Sequence, residues 1–144
     1  MNLGKHAENF ILDYLKNKDK KTYVARFVDT YDANKGRWGK TGQTIVSVEE
    51  RPCDAMLIYD GVTYFCEVKA TENETGIKSS LFSTKSQLAS RKRITNAGGS
   101  YLYLIYSYAK EQWYWVPYLD LNENAKWEQL ESFKIDFPKV VVYD

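Results

Sequence analysis

The stretch RPCDAMLIYDGVTYFCEVKAT, residues 51–71, decides how this chain is read. It contains two runs of strand-forming residues, Ala55 to Tyr59 and Val62 to Val68, separated by Asp60-Gly61. Asp-Gly supplies the left-handed backbone that a two-residue hairpin turn demands. With that turn, Tyr59 faces Val62, and stepping outward brings Asp54 opposite Glu67. Their Cβ atoms then stand ~4.5–5.5 Å apart, and like charges in that position repel. A divalent cation shared by the two relieves the repulsion, and oxygen-only donors suit Mg²⁺ or Mn²⁺. Lys69 lies two residues beyond Glu67 and shares its face, where an ammonium can orient a water or stabilise a phosphate. The alternation turns Cys53, Ala55, Cys66 and Val68 to the opposite face. The same residues also read as a solvated sheet face carrying a surface ion pair. A slip of one residue in register would separate the groups.

Upstream, Leu3, Ala7, Phe10, Ile11, Tyr14 and Leu15 recur at helical spacing, and the run KNKDKK ends the stripe. Glu8 lies three, four and seven residues before Ile11, Leu12 and Leu15, so it borders the buried side of this helix. A carboxylate leaning toward a core needs a partner. That partner is either a cation shared with Asp54 and Glu67 or a lysine, Lys5 or Lys16. Thr22 to Val28 then reads as a strand. Downstream, 70–82 reads as a loop and Thr84 to Ala97 as a helix ended by Gly98-Gly99. Tyr101 to Tyr108 and Gln112 to Pro117 read as strands, Asn122 to Leu130 as a short helix, and Val140 to Tyr143 as a last strand. The order α, β, β, β, α, β followed by additions predicts an α+β fold with a central mixed sheet flanked by helices.

At 144 residues the chain is one domain, 1–144. No run of 18 apolar residues is present, so no membrane span is expected. MNLGKHAENF lacks the apolar segment of a secretory leader, and with two cysteines this points to free thiols and the cytoplasm. Cys53 and Cys66 are offset in the hairpin and read as small buried residues. Twenty Lys+Arg against nineteen Asp+Glu leave a net charge of +1, so any case for nucleic acid is local. His6 is the single histidine and there is no C-x-x-C, which leaves little material for a histidine triad or structural zinc.

Pro52-Cys53-Asp54, then Glu67-Val68-Lys69, then Gln87 on the next helix resemble the PD-(D/E)XK nuclease superfamily. Within it, the opening Gly4-Glu8-Ile11, the strand FCEVKAT and the helix carrying TKSQLAS resemble Holliday junction resolvases of the RecU and archaeal Hjc type. The resemblance spans residues 4 to about 120 and departs from the RecU pattern at Cys53, where a hydroxyl residue usually stands. It implies a restriction-endonuclease-like αβββαβ core and Mg²⁺-dependent hydrolysis of DNA, with Mn²⁺ as a substitute. Asp54 and Glu67 would hold the ion, joined by the Val68 carbonyl, with Glu8 binding directly or through water. Lys69 would position the attacking water, and Gln87 would orient Lys69 or the scissile phosphate. The substrate would be a four-way junction nicked symmetrically by a homodimer, in a cytoplasm that is the host's if the chain is phage-borne. A restriction- or repair-type nuclease acting on linear or flapped DNA, or a non-catalytic DNA-binding protein of the same fold, are the alternatives.

Two basic segments complete this reading. NKGRWGKT, residues 34–41, falls short of a phosphate-binding P-loop at Asn34 and leads into coil and strand where a helix is required, so no nucleotide cofactor is expected. Lys35, Arg37 and Lys40 would instead reach DNA phosphates or insert at a junction centre, or form a solvated hairpin. Lys85, Arg91, Lys92 and Arg93 on the second helix would contact phosphates without reading sequence, or make a solvated face. Gln87 also fits a capping box with Thr84. Trp113, Tyr114 and Trp115 alternate along a strand; one face reads as core, and stacking of the aromatics on bases is the alternative reading.

Overall fold

A computed structural model describes residues 2–29, 44–48, 50–82, 85–118 and 124–142, with the side chains of 85–87 left aside. The basic loop with Lys35, Arg37 and Lys40, the Thr84 capping box, and the side chains of Lys85 and Gln87 lie outside the described residues.

Helix α1 spans Leu3–Lys16. The Asn2 side chain caps it by accepting the Lys5 N–H at 3.0 Å, and Ala7, Glu8, Ile11, Leu12 and Leu15 form its buried side. The strands are β1 (Thr22–Asp29), β2 (Ile45–Val48), β3 (Ala55–Tyr59), β4 (Val62–Thr71), β5 (Ser100–Ser107), β6 (Gln112–Pro117) and β7 (Lys134–Ile135). A second helix, α2, covers Lys85–Asn96, and 3₁₀ turns occupy Ser79–Phe82 and Trp127–Phe133. The fold is mixed α/β, with seven strands in the order β2-β1-β3-β4-β5-β6-β7. The β1·β2 and β4·β5 pairs are parallel and the rest antiparallel.

The hairpin has the register the turn dictates: Tyr59 pairs with Val62 and Ala55 with Cys66. Asp60 and Gly61 have φ of 52° and 82°, the left-handed values of a tight turn closing a twisted hairpin. Gly98 (φ 89°) ends α2, and the Gly99 N–H bonds back to the Ile94 carbonyl at 2.9 Å.

Two apolar layers sandwich the sheet. On one side α1 packs Ile11, Leu12 and Leu15 against Val24, Leu57, Cys66, Leu102 and Leu104. On the other, Phe82, Trp127 and Leu130 cover Phe27, Tyr103, Ile105 and Tyr114. β5 lies between the two layers, and every residue from Tyr101 to Ser107 is buried. Trp113 and Trp115 meet the first layer and Tyr114 the second, so both faces of β6 are core.

Several details differ from the sequence reading. β2 is a strand in its own right, paired to β1. Residues 124–126 precede a 3₁₀ segment, Trp127–Phe133, where a helix ending at Leu130 is expected. Val140–Val142 form no strand; the buried Val140 N–H bonds to the Tyr106 hydroxyl at 3.1 Å, and the closing strand is β7. Cys53 packs in the second layer while Cys66 packs in the first, because strand alternation stops at Ala55 and residues 52–54 follow bends. Among the described residues no helix is long and apolar enough to cross a membrane.

Candidate active site

The site arises from unequal strand lengths. β3 starts at Ala55, but its neighbour β4 runs five residues beyond Cys66 to Thr71. The sheet is notched at this point, and Asp54 stands at the notch. Three bonds hold it. Its N–H donates to the Cys66 carbonyl at 3.1 Å, and its carbonyl accepts the Phe27 N–H of β1 at 2.9 Å. Its carboxylate Oδ2 accepts the Val68 N–H at 2.8 Å, in the place a further strand residue would have taken. The N–H and carbonyl of one strand residue leave toward the same neighbour. The Val68 carbonyl therefore also lies along this notch.

Ladder pairing ends one residue short of the Asp54–Glu67 pair expected from the sequence, yet the two carboxyls still lie close enough to perturb each other's ionisation. Asp54, Glu67, Val68 and Lys69 line one cleft of about 360 Å³, together with Lys5 and Glu8 from the start of α1, and Arg51. Asp54 and Glu67 are buried, at 4% and 3% exposure. Burial, then repulsion from Glu67 and Glu8, pushes the Asp54 carboxyl well above its usual range. Burial also raises Glu67, against the opposing pull of the neighbouring Asp54 carboxyl, Lys69 and Arg51. The Tyr101 hydroxyl donates to Glu67 Oε2 at 3.4 Å, and its own pKa is pushed up by burial first and by Glu67 next.

Glu8 reaches this cleft, but its charge is already compensated. Its Oε2 pairs with Lys5 Nζ at 3.0 Å and with the buried guanidinium of Arg26. Burial acts to raise its pKa, but Lys5 and Arg26 outweigh it and hold the carboxyl below the usual range. The lysine partner considered from the sequence is thus present, together with an arginine that was not. Among the described residues no three His, Cys, Asp or Glu side chains make a ready set of metal ligands. The donors that fit a hard divalent ion are the Asp54 and Glu67 carboxylates and the Val68 carbonyl, all oxygen, in a pair that burial and repulsion leave poorly compensated. Glu8 stands beside them, held in place by its two cations.

The proposed DNA-contacting helix divides. Lys92 and Arg93 are exposed. Arg91 is 1% exposed, so it is no phosphate contact. Its guanidinium donates to the Tyr103 hydroxyl and lies 5.0 Å from the Tyr118 ring centre, fastening α2 to the sheet. Sequence reasoning also passed over Arg26, Arg51 and Tyr101. Arg26 had a signal: a cation within TYVARFVD, on the side of the strand that faces α1, needs an acid from another element.

Neither the protein-family models nor the curated proteins contain a match to this chain.

Proposed function

We propose that this chain is a divalent-metal-dependent, structure-selective DNA endonuclease of the PD-(D/E)XK type, with a restriction-endonuclease-like core, acting as a homodimer on four-way junctions. The observation that carries the reading is the meeting of Asp54, Glu67 and Lys69 in one open cleft at the sheet notch. A DNA backbone can approach such a cleft, whereas a closed cavity would admit only small molecules.

A bound Mg²⁺ or Mn²⁺ would supply Lewis acidity toward the scissile phosphate. The chain's own groups do the rest. Asp54 and Glu67, as carboxylates, would hold the ion together with the Val68 carbonyl. Lys69, two residues along β4, orients the attacking water through its ammonium. The water oxygen bonds to phosphorus, the P–O3′ bond breaks, and the products are a 5′-phosphate and a 3′-hydroxyl. Glu8, fixed by Lys5 and Arg26, borders the water's approach. Lys92 and Arg93, exposed on α2, would contact flanking phosphates, the role the sequence reading also gives to Lys35, Arg37, Lys40 and Lys85.

The test is cleavage of a fixed four-way junction with Mg²⁺, with EDTA, and by Asp54→Asn and Lys69→Ala proteins. Paired nicks that need Mg²⁺ and vanish in both variants, with junction binding retained, support the proposal. Equal rates on linear duplex and junction would replace resolution by a restriction- or repair-type activity. Binding with no cleavage by the unaltered protein would make it a DNA-binding protein of this fold.

A further inference from the structure

Arg51 is placed differently from the two cations that hold Glu8. Lys5 is engaged by Glu8 at 3.0 Å, and Arg26 is buried against the same carboxylate. Arg51 precedes Asp54 by three residues, keeps 40% of its side chain exposed, and stands 3.9 Å from Asp54 Oδ1. That separation marks a loose ion pair, not a close hydrogen bond. Its charge also acts favourably on Glu67. Arg51 is thus a counter-ion to both carboxylates, carried by the irregular segment before β3, outside the sheet and open to solvent.

Resting on the nuclease reading above, we propose that Arg51 is a displaceable counter-ion that becomes a phosphate-positioning residue. Without a divalent ion it neutralises the Asp54–Glu67 pair. An ion on those oxygens carries two charges where Arg51 carries one, and the two cations repel. The guanidinium then leaves the carboxylates. Its exposed, flexible stem lets it turn toward the mouth of the cleft, where a DNA phosphate offers two oxygens to its planar fork. The arginine therefore competes with the metal and cooperates with the DNA.

The experiment compares the unaltered protein with Arg51→Ala and Arg51→Lys. Calorimetric titration with Mn²⁺ alone should show Arg51→Ala binding about 3- to 10-fold tighter, the effect of removing one screened unit charge beside the site. Equal or weaker binding would overturn the counter-ion role. Junction binding is then measured against salt, in Ca²⁺, which takes the same oxygen donors without the need for turnover. One lost phosphate contact makes the slope of log K on log salt shallower by about 0.9. Arg51→Ala should show that change in Ca²⁺ and not in EDTA, and Arg51→Lys should restore it. The same change in both media would overturn the handover, and no change in either would overturn the phosphate role. If the unaltered protein cleaves and these signatures are missing, the Arg51 proposal fails alone. If it binds Mn²⁺ as expected but neither binds nor cleaves DNA, the phosphate role falls together with the nuclease reading.

Discussion

Replacing Asp54 by asparagine removes one charge from the cleft and keeps an acceptor for the Val68 N–H, bonded at 2.8 Å. In the metal-free protein this substitution should stabilise. Asp54 touches Glu67 and feels Glu8, and two unit charges ~4 Å apart at an effective dielectric of ~20 repel by about 4 kcal/mol. Arg51 offsets part of this, as does the upward shift of both carboxyls, so a net gain of about 1–2 kcal/mol is expected, or ~3–6 °C in Tm for a domain of this size. The sign follows from the shifts. Asp54 and Glu67 are raised above their ordinary 3.8 and 4.5, so their contribution to stability is full below those values and is lost as pH rises through the folded ones. Glu8 is lowered, so its contribution is lost only as pH falls through its folded value. The advantage of Asp54→Asn should therefore widen as pH rises from weakly acid to mildly alkaline. Thermal melts in EDTA across that range provide the assay. Asp54→Ala is the control: it orphans the Val68 N–H and should lie about 1–3 kcal/mol below Asp54→Asn. Adding Mn²⁺ should raise the Tm of the unaltered protein and leave Asp54→Asn unmoved. An asparagine variant that melts at or below the unaltered protein in alkaline EDTA would refute the account of the cleft as a strained carboxylate pair.

Other expectations follow from single contacts. Arg26→Ala strands the Glu8 carboxylate against the core and should cost about 3 kcal/mol in urea unfolding, with much of the loss recovered by adding Glu8→Gln. Tyr106→Phe leaves the buried Val140 N–H without its acceptor, a loss of about 1–3 kcal/mol visible as a lower urea midpoint with unchanged slope. Arg91→Ala should lower Tm strongly, while a Lys92→Ala/Arg93→Ala double variant should keep Tm and make junction binding less salt-sensitive; the reverse pattern would contradict the packing of Arg91 on Tyr103 and Tyr118. Cleavage at limiting Mg²⁺ should rise with pH, because protons on the raised Asp54 and Glu67 compete with the ion; a flat profile would show that some step other than ion entry limits the rate.

The features that could be read from residues 51–71 are those governed by neighbours in the chain. Asp60-Gly61 sets the turn, the turn sets the register, and the register brings residues 54 and 67 to one end of the hairpin, because strand pairing counts residues outward from a tight turn. The α1 stripe was equally local, since helical spacing alone selects its buried side. What escaped depended on partners distant in the chain. Asp54 leaves the β4 ladder while its carbonyl stays bonded to Phe27 of β1, and β1 belongs to another part of the sequence. A basic helix looks wholly solvated until the sheet beneath it supplies Tyr103 and Tyr118 to receive Arg91. Glu8 could be placed at the core's border, but whether it met a metal or a cation rested on Arg26, eighteen residues on and in a different element. Turn chemistry and periodicity act over a few residues and are written in order along the chain. The compensation of a buried charge is settled by whichever group the folded chain brings within a few ångströms, and sequence spacing carries no measure of that distance.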